Sequence, residues 1–509
     1  MDESSDLRSS EDEVKSVGQR EAEEEEELVD YGYEDETDIC YDEWPSKRPR
    51  CAVDRISELP DSVISHILSL MPARDAFKTC ILSKKWRHTW ASSSALIYIF
   101  DGGSRKKFSK FVDKTLILHK SSQINKFVLK SLYRSIKESS VSLWVHAAVI
   151  KKVEELVIKV VDTDDTYIIV PQILYSCDSL KKLSLGGCLI APIYSSVCWR
   201  SLKHLSLTSI DLETDVLQKF LDGSPLLESL KLKDCTRFDH VDIHSGRLKK
   251  LVINGYRTFN QYLDHGWLEI NAPYLLSLEI LGFVDGMKCK LKNVRSLVHA
   301  SLTFHMGRWS SYQYEDDDNY QTRLEDDQSM VRDLMEKVRH VRNLTLGTWI
   351  VQVLSTCEVK RLVHCSISMR KCLVLEVDLH RFDLPGIAML LRTSPILERL
   401  IMDLSRPHTY EQTKYFEEVC DIDGKNYWAL KLIVLQCLRT VEVVGFSESV
   451  IECAQFLLQN AKALEKMIFT KVNSYDEWQY YFGREDFFKT IRKLLSLPRS
   501  SPQAQIILL

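Results

Sequence analysis

The residues of this 509-residue chain best suited to chemistry are His240, Asp242 and His244, with Cys235 nearby. Imidazole, carboxylate and thiolate are ligand types that zinc takes, and a closed site needs four of them. On a strand the three polar residues share one face and Val241 and Ile243 share the other. The same spacing describes a strand that buries two apolar residues and leaves its histidines in water, and we expect that outcome because the apolar pair continues the surrounding pattern. Asp101-Gly102-Gly103-Ser104 precedes Arg105-Lys106-Lys107 but lacks the spacing and the Gly-Lys-Ser/Thr of a phosphate loop, so it reads as a turn. His364 and Cys365 would make a thiol–imidazole pair, but adjacent strand residues point to opposite faces. No Gly-x-Ser-x-Gly elbow occurs. The 14 cysteines include no Cys-x-x-Cys pair, and Cys177, Cys188, Cys235, Cys437 and Cys453 sit in apolar patterns, as small buried hydrophobes of a reducing compartment do. The expectation is a non-enzyme with no metal and no cofactor.

Length predicts several domains or one extended array. The net charge of −5 is uneven: acid concentrates before residue 44, notably Glu23 to Glu27, and the rest is near balance, which gives no sign of a nucleic-acid surface. Residues 1–52 form an acidic tail poor in aliphatics and expected to be disordered. Lys47-Arg48-Pro49-Arg50 closes it, either as a nuclear-import patch or as plain solvation. No basic-plus-apolar leader and no apolar run of membrane-spanning length is present, so the expected setting is intracellular, nucleus and/or cytoplasm, with no membrane partner. Asn343-Leu344-Thr345 fits a glycosylation sequon but lies on a predicted strand.

Three short amphipathic pieces follow within 53–93. Val63, Ile64, Ile67, Leu68 and Met71 have helical spacing after Leu59-Pro60-Asp61, and Pro72 ends that helix. Asp75 is a candidate cap for a second turn carrying Ala76, Phe77 and Cys80, and Ser83 for a third carrying Trp86 and Trp90. A segment this small with three apolar faces is expected to bury one in a partner. Its Leu59-Pro60, Ile67-Leu68, Pro72 and Leu82 to Arg87 resemble an F-box. That resemblance implies a three-helix module docking on the Skp-type adaptor of an SCF cullin ubiquitin ligase, with Leu59, Pro60, Ile64, Ile67, Leu68, Leu82 and Trp86 as anchors.

The rest of the chain repeats. Residues 173–185, 220–232, 390–402 and 457–469 align without gaps as helix end, polar turn and Leu-x-x-Leu-x-Leu strand. Further beats fall at Val153/Leu156/Ile158, Leu202/Leu205/Leu207, Leu248/Leu251/Ile253, Leu275/Leu278/Ile280 and Val341/Leu344/Leu346, spaced near the ~20–29 residues of leucine-rich repeats. Leu96 to Phe100 and Phe127 to Leu132 alternate as strands around a helix marked by Phe108, Phe111, Val112 and Leu116. The predicted fold class is therefore α/β, a curved leucine-rich-repeat solenoid over 94–426 with parallel strands inside and helices outside; a bundle of βαβ units is the alternative. An acidic insertion near 306–338, with Glu315 to Asp318 and Glu325 to Asp327, is expected to be an exposed loop. Residues 427–509 add beats at Leu438/Val441/Val443 and Leu464/Met467/Phe469. With Cys437-Leu438, Asn460-Ala461 and Leu495-Ser496-Leu497-Pro498-Arg499 they resemble the FBD region of plant F-box/leucine-rich-repeat proteins, although Trp428 lacks that region's following proline.

Together the resemblances imply a substrate-recognition subunit: the F-box held by the Skp-type adaptor and through it the cullin ligase, the repeats holding an unnamed protein target. The other classes are a non-ligase repeat scaffold and a ligand-dependent co-receptor. Inward polar positions such as Lys182, Ser184, Lys203, His204 and Ser206 do not separate them.

Overall fold

The computed structural model describes residues 56, 58–131, 136–160, 168–194, 196–256, 266–283, 287–305, 320–361, 366–405, 416–417, 433–445, 449–470 and 492–509. The acidic segment 1–52, the pair at 364–365, residues 315–318 and Trp428 lie outside them. Among the described residues no helix is long and apolar enough to cross a membrane.

Three short helices come first: α1 (Asp61–Ser69), α2 (Ala73–Lys78) and α3 (Lys84–Thr89). Pro60 and Pro72 occupy the N-cap positions of α1 and α2, where the missing N–H costs no intrahelical bond. Asp75, expected as the cap of α2, instead lies within its first turn, where its charge favours the helix dipole. Ser83 caps α3 as expected, accepting from the Trp86 N–H.

From residue 95 onward one motif repeats. Strands β1 (Ala95–Phe100), β2 (Lys126–Ser131), β3 (Glu155–Val160), β4 (Ile168–Ile169), β5 (Lys182–Gly186), β6 (Cys188–Leu189), β7 (His204–Thr208), β8 (Ser229–Lys233), β9 (His240–Asp242) and β10 (Lys250–Tyr256) are followed by β11 (Gly266–Asn271), β12 (Ser277–Phe283), β13 (Met287–Lys292), β14 (His299–His305) and β15 (Asn343–Gly347). The chain continues through β16 (Cys372–Glu376), β17 (Arg399–Asp403), β18 (Thr440–Val444), β19 (Lys466–Thr470) and β20 (Gln505–Leu508). Fifteen of these form one sheet, in the order β1-β2-β3-β5-β7-β8-β10-β12-β14-β15-β16-β17-β18-β19-β20. Every pairing in it is parallel and the strands follow one another in sequence order, with β4, β6, β9, β11 and β13 lying outside it, the arrangement of stacked repeats rather than of independent βαβ units.

The register explains the Leu-x-x-Leu-x-Leu beat. Leu156, Leu183, Leu205, Leu230, Leu251 and Leu278 pair in one continuous row, and all are buried. The row goes on through Ala300, Leu344, Leu373, Leu400, Val441 and Met467. A second row, two residues along each strand, is equally buried, while the residues between face the open side. Each fully buried leucine contributes about 1.5–3 kcal/mol. Three strands of the main sheet escaped the sequence pattern: β14 has Ala300 in the leucine row, before β16 Arg370 stands where a repeat would begin, and β20 was not expected at all. Exposed ion pairs such as Lys181–Glu154 (2.8 Å) and Lys371–Glu398 (2.7 Å) link neighbouring repeats and add little.

The layer behind the sheet changes along the chain. Helices α4 (Arg105–Leu118), α5 (Glu138–Ile150) and α6 (Thr214–Asp222) cover its first part, and α7 (Tyr320–Lys337), α8 (Thr348–Val359), α9 (Leu384–Arg392) and α10 (Ser449–Asn460) its second. Between them the expected helices are replaced by a small parallel sheet, β9-β11-β13. The sequence there alternates, with Cys289 and Leu291 buried between Lys288, Lys290 and Lys292, a period of two that suits a strand. The acidic insertion also differs from expectation. Glu325 to Asp327 lie on α7, not on a loop, because Leu324, Val331 and Leu334 bury one side of that helix and Lys288 holds Asp326 at 2.6 Å.

The first three helices pack directly on the first repeats. Phe77 meets Trp90 edge-on at 5.3 Å and Phe111 of α4 at 6.3 Å. Beneath them the buried His119 donates from Nε2 to the Ser93 carbonyl (2.8 Å), leaving Nδ1 to accept from Lys151 Nζ (3.2 Å). Lys151 also donates to the carbonyls of His119 and Ser121. Loss of solvent, chiefly, pulls the His119 pKa below its ordinary value, with the nearby Lys151 charge adding to the effect.

Two outcomes follow from this packing. Gly386 of α9 lies against α8, its N–H donating to Ser355 Oγ (2.7 Å), and a Cβ there would collide with the Val351 carbonyl oxygen. Gly386→Ala should therefore cost about 1–3 kcal/mol, seen as a lower unfolding midpoint in urea. His119 is bound neutral, so its contribution is complete above the ordinary histidine pKa and is lost as pH falls through that value toward the depressed folded one. The melting temperature should fall as pH drops from about 7 through the ordinary histidine value of about 6.5, and His119→Gln should flatten that slope.

Candidate partner-docking site

The helices between 56 and 92 enclose a small core of their own. Ile64, Leu68, Ala76 and Trp86 are buried in it, and Leu59, Ile67, Met71 and Trp90 pack around them. The sequence dictates this arrangement locally: Ile64 and Leu68 are one turn apart on α1, and the Ser83 cap starts α3 so that Trp86 turns inward. Trp86 Nε1 donates to the Ile56 carbonyl at 3.3 Å, and Lys85 both bonds the Leu59 carbonyl and pairs with Asp61 at 3.0 Å. These contacts tie the entering chain to α3.

The seven anchors read from the sequence divide on this evidence. Ile64, Leu68 and Trp86 are buried inside the module in the chain by itself. Leu59 and Ile67 are half-buried at its edge, and Pro60 and Leu82 are exposed. The reason is geometric: the run Val63, Ile64, Ile67, Leu68 spans two faces of α1, one of which turns inward. Val63, Ile67 and Leu70 make the outward face at i, i+4, i+7.

The exposed apolar surface includes two residues the sequence reading missed, Leu70 at the end of α1 (70 % exposed) and Ile81 in the turn before α3 (75 % exposed), beside Val63 and Leu82, which it had named and which are also open. Spacing alone could not reveal them, because an exposed leucine and a buried one obey the same periodicity. Large apolar side chains concentrated on so short a segment mark an interaction surface. Its chemistry is that of a partner with a complementary apolar groove, and the carboxylates and lysines at its margin, such as Asp61 and Lys85, are already paired with each other.

The other candidate constellations resolve structurally. Val241 and Ile243 are buried and β9 ends at Asp242, so His244 lies beyond the strand. His240 sits 3.5 Å from Glu269, and Asp242 accepts from Asn271 at 2.7 Å. Among the described residues no group of three or more His, Cys, Asp or Glu is placed to hold a metal. Gly102 and Gly103 adopt positive φ in a turn, and Ser104 caps α4. Burial pushes the thiols of Cys188, Cys289 and Cys453 up to about 12 and Cys235 to about 11, which keeps them protonated and weakly nucleophilic.

Comparison with known proteins fits both parts of this architecture. A model of the F-box domain matches residues 56–98, running past the helices into β1, and a model of the At1g61320/AtMIF1 LRR domain matches residues 116–486. Among similar proteins of Arabidopsis thaliana, the putative F-box/LRR-repeat protein At3g18150 is 28 % identical over 82 % of this chain and 86 % of its own length. The F-box/LRR-repeat protein At3g03360 is 30 % identical over 69 % of this chain and 70 % of its own. The F-box/LRR-repeat protein At5g02910 is 27 % identical over 83 % and 90 % respectively. With helices that form a small separate core at one end and a parallel sheet of stacked leucine strands behind them, the chain belongs to the F-box/leucine-rich-repeat proteins.

Proposed function

We propose that this chain is the substrate-recognition subunit of an SCF-type cullin ubiquitin ligase, non-catalytic in itself and working inside the cell. The observation that carries the reading is the exposed apolar face of α1 and the turn before α3, set on a module that matches the F-box domain. That face docks on the Skp-type adaptor, with Pro60, Val63, Ile67, Leu70, Ile81 and Leu82 making contact and Ile64, Leu68 and Trp86 holding its shape. Buried aromatic and aliphatic anchors usually dominate such an interface.

The repeats then hold the target, and the rate gain comes from proximity: tethering turns an encounter into an effectively intramolecular one. Because the first three helices pack against β1 and α4, the module and the capture surface share a rigid junction instead of a free linker. Residues 427–509 are read as an FBD-like continuation of the repeats, supported by β18 and β19 extending the same sheet.

The test is a pull-down of the full chain with a purified Skp-type adaptor. The double variant Val63→Asp, Leu82→Asp should weaken capture about tenfold or more while leaving the melting temperature unchanged, since both residues are exposed. Trp86→Ala should lose binding and stability together. Adaptor binding by the double variant equal to that of the parent sinks the proposal.

A further inference from the structure

The open face of the main sheet is electrostatically divided. At its beginning, next to the F-box module, alternate positions carry Lys130 on β2, Lys159 on β3, Lys182 on β5 and both Lys231 and Lys233 on β8. Toward its end the same positions carry Glu376, Asp403 and Glu442. Some of the charge is internally matched: Lys126 pairs with Glu155 (2.9 Å), Lys233 lies 3.9 Å from Asp234, and Arg399 pairs with Glu442 (2.7 Å). Lys130, Lys159, Lys182 and Lys231 make no ion pair among the described residues.

The placement of these lysines works against the fold. Lys130 and Lys159 stand directly opposite each other in register, and like charges so placed on neighbouring strands are destabilising. The row they begin continues through Gly186 and Thr208 to Lys233, so small side chains keep its floor open. Five strands at ~4.8 Å spacing make this row ~19 Å long, the reach of about six extended residues at ~3.3 Å each.

We infer that this basic strip is where the repeats capture their target, and that the target presents a short extended segment rich in aspartate and glutamate. The inference rests on the reading of the repeats as the target-binding surface and adds to it the chemistry and place of recognition. Charge complementarity selects an acidic segment, and the mixed charge of the far end, where Arg399 and Lys466 accompany Glu376, Asp403 and Glu442, offers it no comparable strip. Single-stranded nucleic acid fits less well, because the open positions of β2 to β8 hold no Phe, Tyr or Trp and a single imidazole, His204, on which a base would stack. A cationic capture surface also leaves the target's own lysines unbound, as ubiquitin transfer requires.

The experiment measures fluorescence anisotropy of a labelled peptide of about eight alternating glutamate and glycine residues with the full chain, beside its glutamine counterpart and a single-stranded DNA of similar length. The acidic peptide should bind, more weakly as salt rises, and the glutamine peptide should not. Lys130→Glu, Lys159→Glu, Lys231→Glu together should weaken binding about tenfold or more. Lys106→Glu, Lys107→Glu, Lys110→Glu, an equal change of charge on exposed positions of α4, should leave it intact. Equal loss in both triple variants, tighter binding of the DNA, or equal binding of the glutamine peptide overturns the inference. Binding seen only after removal of residues 1–52 makes the chain's own acidic segment the occupant and overturns it as well. Adaptor capture is not part of this readout, so failure of the ligase reading and failure of this inference are separable.

Discussion

No repeat in this chain can bury its own apolar face, and everything else in the structure follows from that constraint. A strand such as β8 offers Leu230 and Leu232 to the layer behind it, and those side chains become dry only when β7 and β10 lie alongside. Stability is therefore held between neighbours, as in any stacked array. The same constraint explains why the layer behind the sheet is free to change. Helix, 3₁₀ turn or strand serves equally, provided it presents an apolar side to the two leucine rows.

A parallel sheet with one uncovered face is unusual, since parallel sheets are commonly buried on both sides. Here the alternation of side chains separates two tasks. One set of positions is apolar and fixed by packing, and the other is open and free to carry charge. Recognition can thus vary along the open face while the fold behind it stays the same. The concentration of lysines near the F-box end is a use of that freedom which packing does not demand.

The F-box module obeys a different economy. Its own core contains few residues, with Ile64, Leu68, Ala76 and Trp86 at the centre, so it leans on the first repeat for the rest. Phe77 bridges Trp90 and Phe111 of α4 there, and the neutral His119 fastens the connection through Ser93. A module that spent all its apolar residues on its own core would have none left for a partner. Leu70 and Ile81 remain outside because the supporting repeat supplies the burial they would otherwise provide.

Much of this was legible in the residues themselves. The beat of leucines placed most strands of the main sheet, including β3, β5, β7 and β12, because a period-two pattern with a fixed preceding turn has one structural solution. Proline and serine punctuation set the bounds of α1, α2 and α3 for equally local reasons. The strands β14, β16 and β20 were not legible: Ala300 and Arg370 occupy repeat positions of the first two that only stacking on neighbours makes recognisable, and β20 shows itself only by pairing with β19. The helix α7 was hidden for a related reason: its acidic surface dominates its composition, and only contact with the sheet shows that Leu324, Val331 and Leu334 face inward. Which residues of α1 turn in and which stay out was likewise decided in three dimensions. Periodicity defines the faces of a helix, but the position of Trp86 and of the first repeat determines which face is covered.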